Sequence, residues 1–427
     1  MTANVCLTGR KLLKTGFFHI FGSGVVNKVL ATILSVALVR LLSKNDYGAW
    51  AYAFNIASFF VLFNGLGASS ALLQIGSELA VKDDPSRVER YATKIGLIVD
   101  IVIGCGMALV ALTVPLALEG SNQLLLLYCV YPLLSFLFDV RQTVFRIRLQ
   151  NKLFARMTNV QTLLNVAFSI GGAIFAGSVG LVVGQQLALL GAWVLSLFAV
   201  SPSKRSNRED HASDGVSFVR SDFWKIALMS ALNNGLSQAL TLVGTFLIGL
   251  LLASDSLVAD YKVATTVPFA LLFLPSMVCT YVYPYFARNS GDKTWCRKNF
   301  VRLEAAAFLG FGGVTAVAIF LSEPTVRILF GDEYAAIAPV YNILMLGFFF
   351  ASSLRQISGN LLVTQRKLSI NFANGVVSII FNVIASVALI PSYGLYGAAW
   401  VYALTMLVGG VIGTVSYMRA LEGNSAD

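Results

Sequence analysis

The chain has 427 residues, of which 57% are hydrophobic and only 12% charged, whereas soluble domains carry about 25% charged residues. That balance excludes a soluble globular fold and makes the chain an all-α integral membrane protein. The net charge of +10 comes from Lys and Arg in short clusters between apolar runs rather than on one basic face, which excludes nucleic-acid binding.

An apolar run of about 20 residues crosses a ~30 Å hydrocarbon layer as a helix. Taken in chain order, the runs predict twelve such helices, at 15–40, 47–76, 92–118, 122–147, 155–176, 178–200, 223–252, 257–287, 299–321, 336–363, 369–390 and 395–418. Arg10, Lys11 and Lys14 precede the first run as in a signal peptide, but the run is too long and too polar in its middle, so it reads as an uncleaved helix. The polar stretch 201–222, which holds His211, reads as a linker between two six-helix lobes, 1–210 and 211–427. Pro268, Pro275 and Pro284 predict a kinked eighth helix. The five cysteines show no paired or metal-ligand spacing, so neither a disulfide framework nor a metal site is expected.

Positive charge is retained in cytoplasmic loops. Of the 31 Lys and Arg residues, only Arg40, Lys44, Lys262 and Arg327 fall in odd-numbered loops, which places both termini in the cytoplasm. The halves read as copies: Asp46-Tyr47 and Asp260-Tyr261 share an offset of 214 residues with Gly180-Leu181 and Gly394-Leu395. An even number of helices per copy gives a pseudo-twofold axis along the membrane normal, as in transporters.

Two cations lie within spans, Lys28 and Arg355. A mid-span lysine costs about 2.5–3.5 kcal/mol against lipid, so both are expected to face a polar interior and to bind an anion. Polar stripes at spacings of three and four support a cavity. Helix one carries Ser23, Asn27, Thr32 and Ser35; helix five Thr158, Gln161, Asn165 and Ser169; helix seven Asn234, Ser237, Gln238, Thr241 and Thr245; helix eleven Asn371, Asn374, Ser378, Asn382 and Ser386. The expected substrate contacts are Lys28, Arg355, Asn27, Asn234, Gln238, Asn374 and Asn382, although hydrogen bonding between helices uses the same residue types. Asp100 and Asp139 are candidates for a coupling cation, Na+ or H+, or for partners of the cavity cations. No His/Cys/carboxylate cluster, phosphate loop or long external loop suggests an enzyme, and no cofactor is expected.

The segments LVRLLSKNDYGAWAYAFNIASFF at 38–60, NGLGASSALLQ at 64–74, VRILFGDEYAAIAPVYNIL at 326–344 and IPSYGLYGAAW at 390–400 resemble the bacterial polysaccharide flippases. These are the O-antigen and capsule repeat-unit exporters of the multidrug/oligosaccharidyl-lipid/polysaccharide (MOP) superfamily, and the resemblance covers essentially the whole chain. It implies two six-helix lobes around a central cationic cavity in the cytoplasmic (inner) membrane. It also implies passage of an undecaprenyl-pyrophosphate-linked oligosaccharide to the periplasmic leaflet, where polysaccharide polymerase machinery is a natural partner. Two mid-span cations make a sparse lumen for this family, so Arg40, Arg327 or arginines at the cytoplasmic ends are further candidates. A multidrug antiporter of the same superfamily is the alternative; it favours acidic cavity residues such as Asp100, against which Lys28 argues.

Overall fold

A computed structural model describes residues 17–79, 85–148, 150–199, 220–365 and 367–422. Residues 201–219 of the expected linker and both chain ends lie outside the described residues, and the linker's last three residues, 220–222, belong to a helix. Helix dominates what is described, and no strand occurs among those residues.

The first helices are α1 (Phe17–Leu41), α2 (Lys44–Val61), α3 (Ala68–Leu79), α4 (Ser86–Thr113), α5 (Ser121–Leu127), α6 (Tyr131–Ile147) and α7 (Asn151–Phe198). After the linker come α8 (Arg220–Leu252), α9 (Asp255–Leu271), α10 (Phe273–Arg288), α11 (Lys293–Phe320), α12 (Ser322–Phe330), α13 (Ala338–Phe350), α14 (Gln356–Thr364) and α15 (Leu368–Glu422). Short turns join α2 to α3 (Asn64–Gly67), α5 to α6 (Tyr128–Val130) and α13 to α14 (Ala351–Arg355) within single crossings. The kinked eighth helix is the pair α9 and α10, interrupted at Leu272 between Pro268 and Pro275.

Nine helical segments among the described residues are long and apolar enough to cross a membrane. Two of them count double. In α7 the backbone leaves helical geometry at Ala176 and Gly177, and in α15 at Gly394. Each then doubles back: a Cβ on Gly172 would lie 2.0 Å from the Gly180 carbonyl oxygen, and one on Gly184 would lie 2.1 Å from that of Phe168. The same close return brings Gly397 against Leu389 in α15. With the apolar part of α8, Gln238–Leu252, the crossings reach the expected twelve.

Small residues let these backbones meet, because in lipid helices associate through packing rather than exclusion of water. Replacing Gly184 with Leu puts a side chain where Phe168 has its carbonyl, and overpacking of that kind costs about 1–3 kcal/mol. We expect Gly184→Leu to lower the amount of folded protein in the membrane and its melting temperature, whereas Gly171→Leu, with open space around that Cβ, leaves both nearly unchanged. Fluorescence-detected size exclusion of the two variants measures the difference.

The helices form two compact units. One holds α1, Ile56–Leu116 and the described part of Gly120–Gly235, and its buried core joins Leu72 and Ile75 of α3, Val88 and Ala92 of α4, Phe136 and Val140 of α6, and Phe223 and Ala227 of α8. The other holds Ser43–Asn55, Ala117–Glu119 and the described part of Leu236–Asp427. Inside it, the Tyr52 ring stacks on Phe246 at 6.2 Å, and Asn55 donates from Nδ2 to the Leu242 carbonyl at 3.1 Å. Lys44 Nζ pairs with Asp260 Oδ1 at 2.8 Å. The units differ from the sequence boundary at 210 in three segments. Residues 43–55 and 117–119 sit with the second unit and 220–235 with the first; α2 and α8 are long enough to change packing partners along their length.

Candidate functional site

Lys28 lies near the middle of α1, half-buried. Thr32 donates from Oγ1 to the Lys28 carbonyl at 3.0 Å and Ser35 donates to the Ala31 carbonyl at 3.1 Å. The hydroxyls of this stripe are thus spent on their own helix, as Ser and Thr commonly do in an apolar setting. The ammonium is not: among the described residues no carboxylate reaches it within ion-pair distance. Asn27, beside it, is also half-buried.

α1 packs along α7, and the first turns of α7 carry a second cationic feature that the sequence reading placed in loops. Lys152, Arg156 and Asn159, with Ala155, Val160 and Leu163, line a pocket of about 530 Å³. Their spacings of three and four put them on one helix face. Two cations above an apolar wall suit an anionic head joined to a hydrocarbon chain. Thr158, in the same turns of α7, is bonded to a neighbouring helix, since Gln142 of α6 donates to its Oγ1 at 3.1 Å.

In the second unit, Arg355 ends the turn Ala351–Arg355, whose hydrogen bonds have the wider π pattern. Such turns occur often at functional sites. Its guanidinium donates from Nη1 to Ser378 Oγ at 2.9 Å and lies against Gly409, where a Cβ would approach Nη1 to 2.4 Å. No carboxylate among the described residues pairs with it.

Asn374 and Asn382 are buried and bond helix to helix. Nδ2 of Asn374 donates to the Gly409 carbonyl at 2.8 Å and Nδ2 of Asn382 to Thr405 Oγ1 at 3.0 Å. Both Nδ2 groups join the two arms of α15, while the Oδ1 of each has no hydrogen-bond partner among the described residues. Gln238 is exposed on α8. The side chains of Asn234, Ser237 and Ser23 lie outside the described residues.

The acidic candidates meet at a break in the second crossing. Between α2 and α3, Gly65, Leu66 and Gly67 all have positive φ, at 54°, 46° and 76°, and for Leu66 this left-handed geometry costs about 1–2 kcal/mol. Asp100 of α4, only 1% exposed, accepts the Gly65 N–H on Oδ1 at 2.9 Å. Asn64 donates from Nδ2 to Ser135 Oγ and to the Pro132 carbonyl of α6. Asp139, one turn on from Ser135, is exposed and lies beside Ser69. The signal in the sequence is Asn64-Gly65 with Gly67 inside an apolar run, a turn pattern.

The profile of a family described as polysaccharide biosynthesis protein matches residues 37–339 of the chain. No curated protein matches it in sequence. Among solved structures, the chain is similar to the lipid II flippase MurJ in an inward closed conformation, with a TM-score of 0.74 at 13% identity over 94% of this chain and 89% of that one. It is also similar to an inward-facing multidrug resistance MATE family transporter of the MOP superfamily, with a TM-score of 0.69 at 14% identity over 93% of this chain and 96% of that one. A third is a MOP superfamily transporter from Pyrococcus furiosus, described as having a binding pocket of reverse polarity, with a TM-score of 0.63 at 12% identity over 97% and 96% of the two chains.

Proposed function

Because the chain belongs to the polysaccharide biosynthesis protein family and has the fold of MOP transporters, we propose that it is a flippase. Its cargo is an undecaprenyl-pyrophosphate-linked oligosaccharide repeat unit, moved by alternating access across the bacterial cytoplasmic membrane for surface polysaccharide assembly. The observation that carries this reading is Lys28, a mid-span cation with no carboxylate in reach among the described residues. A pyrophosphate supplies the missing anion. Lys152 and Arg156 in the α7 pocket add positive charge that suits the same anion. The translocated unit is then available to the polymerase machinery, and a coupling cation drives the cycle.

Deletion of the gene abolishes surface polysaccharide and leaves its lipid-linked precursor in the cell, as measured by gel analysis of surface polymer and extraction of lipid-linked oligosaccharide. Unchanged surface polymer overturns the reading. Acidic residues such as Asp100 favour a multidrug antiporter, with Asp139 a second carboxylate of that kind, and ethidium efflux that depends on either would support that reading instead.

The same proposal places both termini and the linker in the cytoplasm. A phosphatase reporter fused after Ser213 is therefore inactive and a cytoplasmic green fluorescent reporter at that point is bright. The opposite pattern requires redrawing every crossing after the sixth.

A further inference from the structure

We propose that the break between α2 and α3 is a binding site for a monovalent coupling cation, sodium or a proton, held on the open oxygen of Asp100 with Asp139 at its mouth.

The geometry goes beyond what a helix break requires. Capping the break uses one oxygen of Asp100, the Oδ1 that accepts the Gly65 N–H, and an Asn or Ser side chain could accept that bond equally well. Oδ2 is buried too and has no hydrogen-bond partner among the described residues. A carboxylate only 1% exposed with one oxygen left open is costly in a membrane interior unless a cation occupies it. The Phe136 ring packs over both Gly65 and Gly96, so close that a Cβ on either would overlap it. This apolar cover sits directly beside the carboxylate.

The break also changes the backbone hydrogen bonding beside Asp100. In a continuous helix the Gly65 N–H would donate to the Val61 carbonyl; here it goes to Asp100, and Val61 loses that donor. Unwound carbonyls beside a carboxylate are the means by which discontinuous membrane helices hold Na+ or H+. Asp139 is near enough to Asp100 for their charges to interact, with Ser69 against it and Arg146 the cation that acts on it. Two neighbouring carboxylates, one buried and one exposed, share a single positive charge more readily than each holds its own. By surface area Asp139 is the exposed member of the pair and Asp100 the enclosed one.

The site deepens the transporter reading by naming where a coupling ion would bind, and it rests on that reading only for its purpose. The test therefore uses purified protein in detergent with no lipid-linked sugar. Asp100→Asn keeps an oxygen for the Gly65 N–H and removes the charge. If sodium is the ligand, replacing choline chloride with sodium chloride at fixed pH raises the wild-type melting temperature by at least about 2 °C, and Asp100→Asn abolishes the shift. If a proton is the ligand, the infrared spectrum of the wild type minus Asp100→Asn shows a carboxylic-acid C=O stretch that disappears reversibly as pH rises while the protein stays folded. Asp139→Asn, which leaves the helix break intact, weakens whichever response is found, and it carries the test should Asp100→Asn fold poorly. A wild type with neither response overturns the site. So does a response unchanged in both variants.

Discussion

A protein cross-linked between Lys44→Cys and Asp260→Cys by a short, reducible thiol reagent, in a background lacking the native cysteines, stops exporting polysaccharide and recovers when the linker is reduced. Lys44 and Asp260 lie 2.8 Å apart as an ion pair, with side chains only 20% and 12% exposed, and the Lys44 ammonium also lies 5.3 Å from the centre of the Tyr334 ring. The pair heads a continuous seam. A Cβ on Gly48 would lie 2.0 Å from the Asp255 carbonyl oxygen, one on Gly249 would strike the Tyr52 ring, and Asn55 donates to Leu242. Every contact in the seam joins residues 43–55, from the first half of the sequence, to the opening of the second half. The seam lies inside the second compact unit, and transport is expected to part it. Surface ion pairs stabilise by less than about 1 kcal/mol and buried ones cost about 3–5 kcal/mol to break, so this partly exposed pair is firm enough to hold a state and weak enough to release it. The double exchange Lys44→Asp with Asp260→Lys keeps export, while either change alone lowers it. Full export with the cross-link complete shows that the seam stays shut throughout transport.

Much of this architecture is legible in the sequence because the membrane enforces it: backbone polar groups in lipid must bond within the segment, so apolar run length reports crossings directly. Even the hairpins of α7 and α15 are read closely, with helix ends placed at 176–178 and 390–395 against observed breaks at Gly177 and Gly394. The break at Asn64–Gly67 is different. It interrupts one apolar run without ending a crossing, and it depends on Asp100, 35 residues away, to take the Gly65 N–H. Local pattern cannot show a distant cap. Asn374 and Asn382 are illegible for another reason: an amide that would bind sugar is chemically the same as one that bonds two helices, and only the structure shows that their Nδ2 groups donate to Gly409 and Thr405. The wider turn at Ala351–Arg355 left no mark in the spacing, since one extra residue in a helical turn shifts no apolar face visibly over so short a stretch.

Lys28→Ala reaches the membrane at wild-type abundance and fails to restore surface polysaccharide in a flippase-null strain. Two facts about its surroundings set this expectation. The bond made near it, from Thr32, goes to the backbone carbonyl, so removing the side chain leaves the helix as it was. Asp100, the carboxylate that could have needed it as a structural partner, makes no ion pair among the described residues and accepts the Gly65 N–H on Oδ1. Truncating one member of a buried ion pair destabilises by about 3–5 kcal/mol because the other charge is stranded; here no carboxylate among the described residues is stranded, and the fold has little to lose. The substrate has more at stake. A hydrogen bond to a charged group contributes about 1.5–3 kcal/mol, so loss of the ammonium weakens pyrophosphate binding by roughly 10- to 150-fold. Lys28→Arg keeps the charge on a bulkier, planar head and retains part of the export, because a lysine serves phosphate as a compact point charge where arginine imposes a fork. Lys28→Gln, similar in length but neutral, behaves like Lys28→Ala. Normal complementation by Lys28→Ala removes the residue from the transport path, and disappearance of the protein itself identifies a structural ion pair.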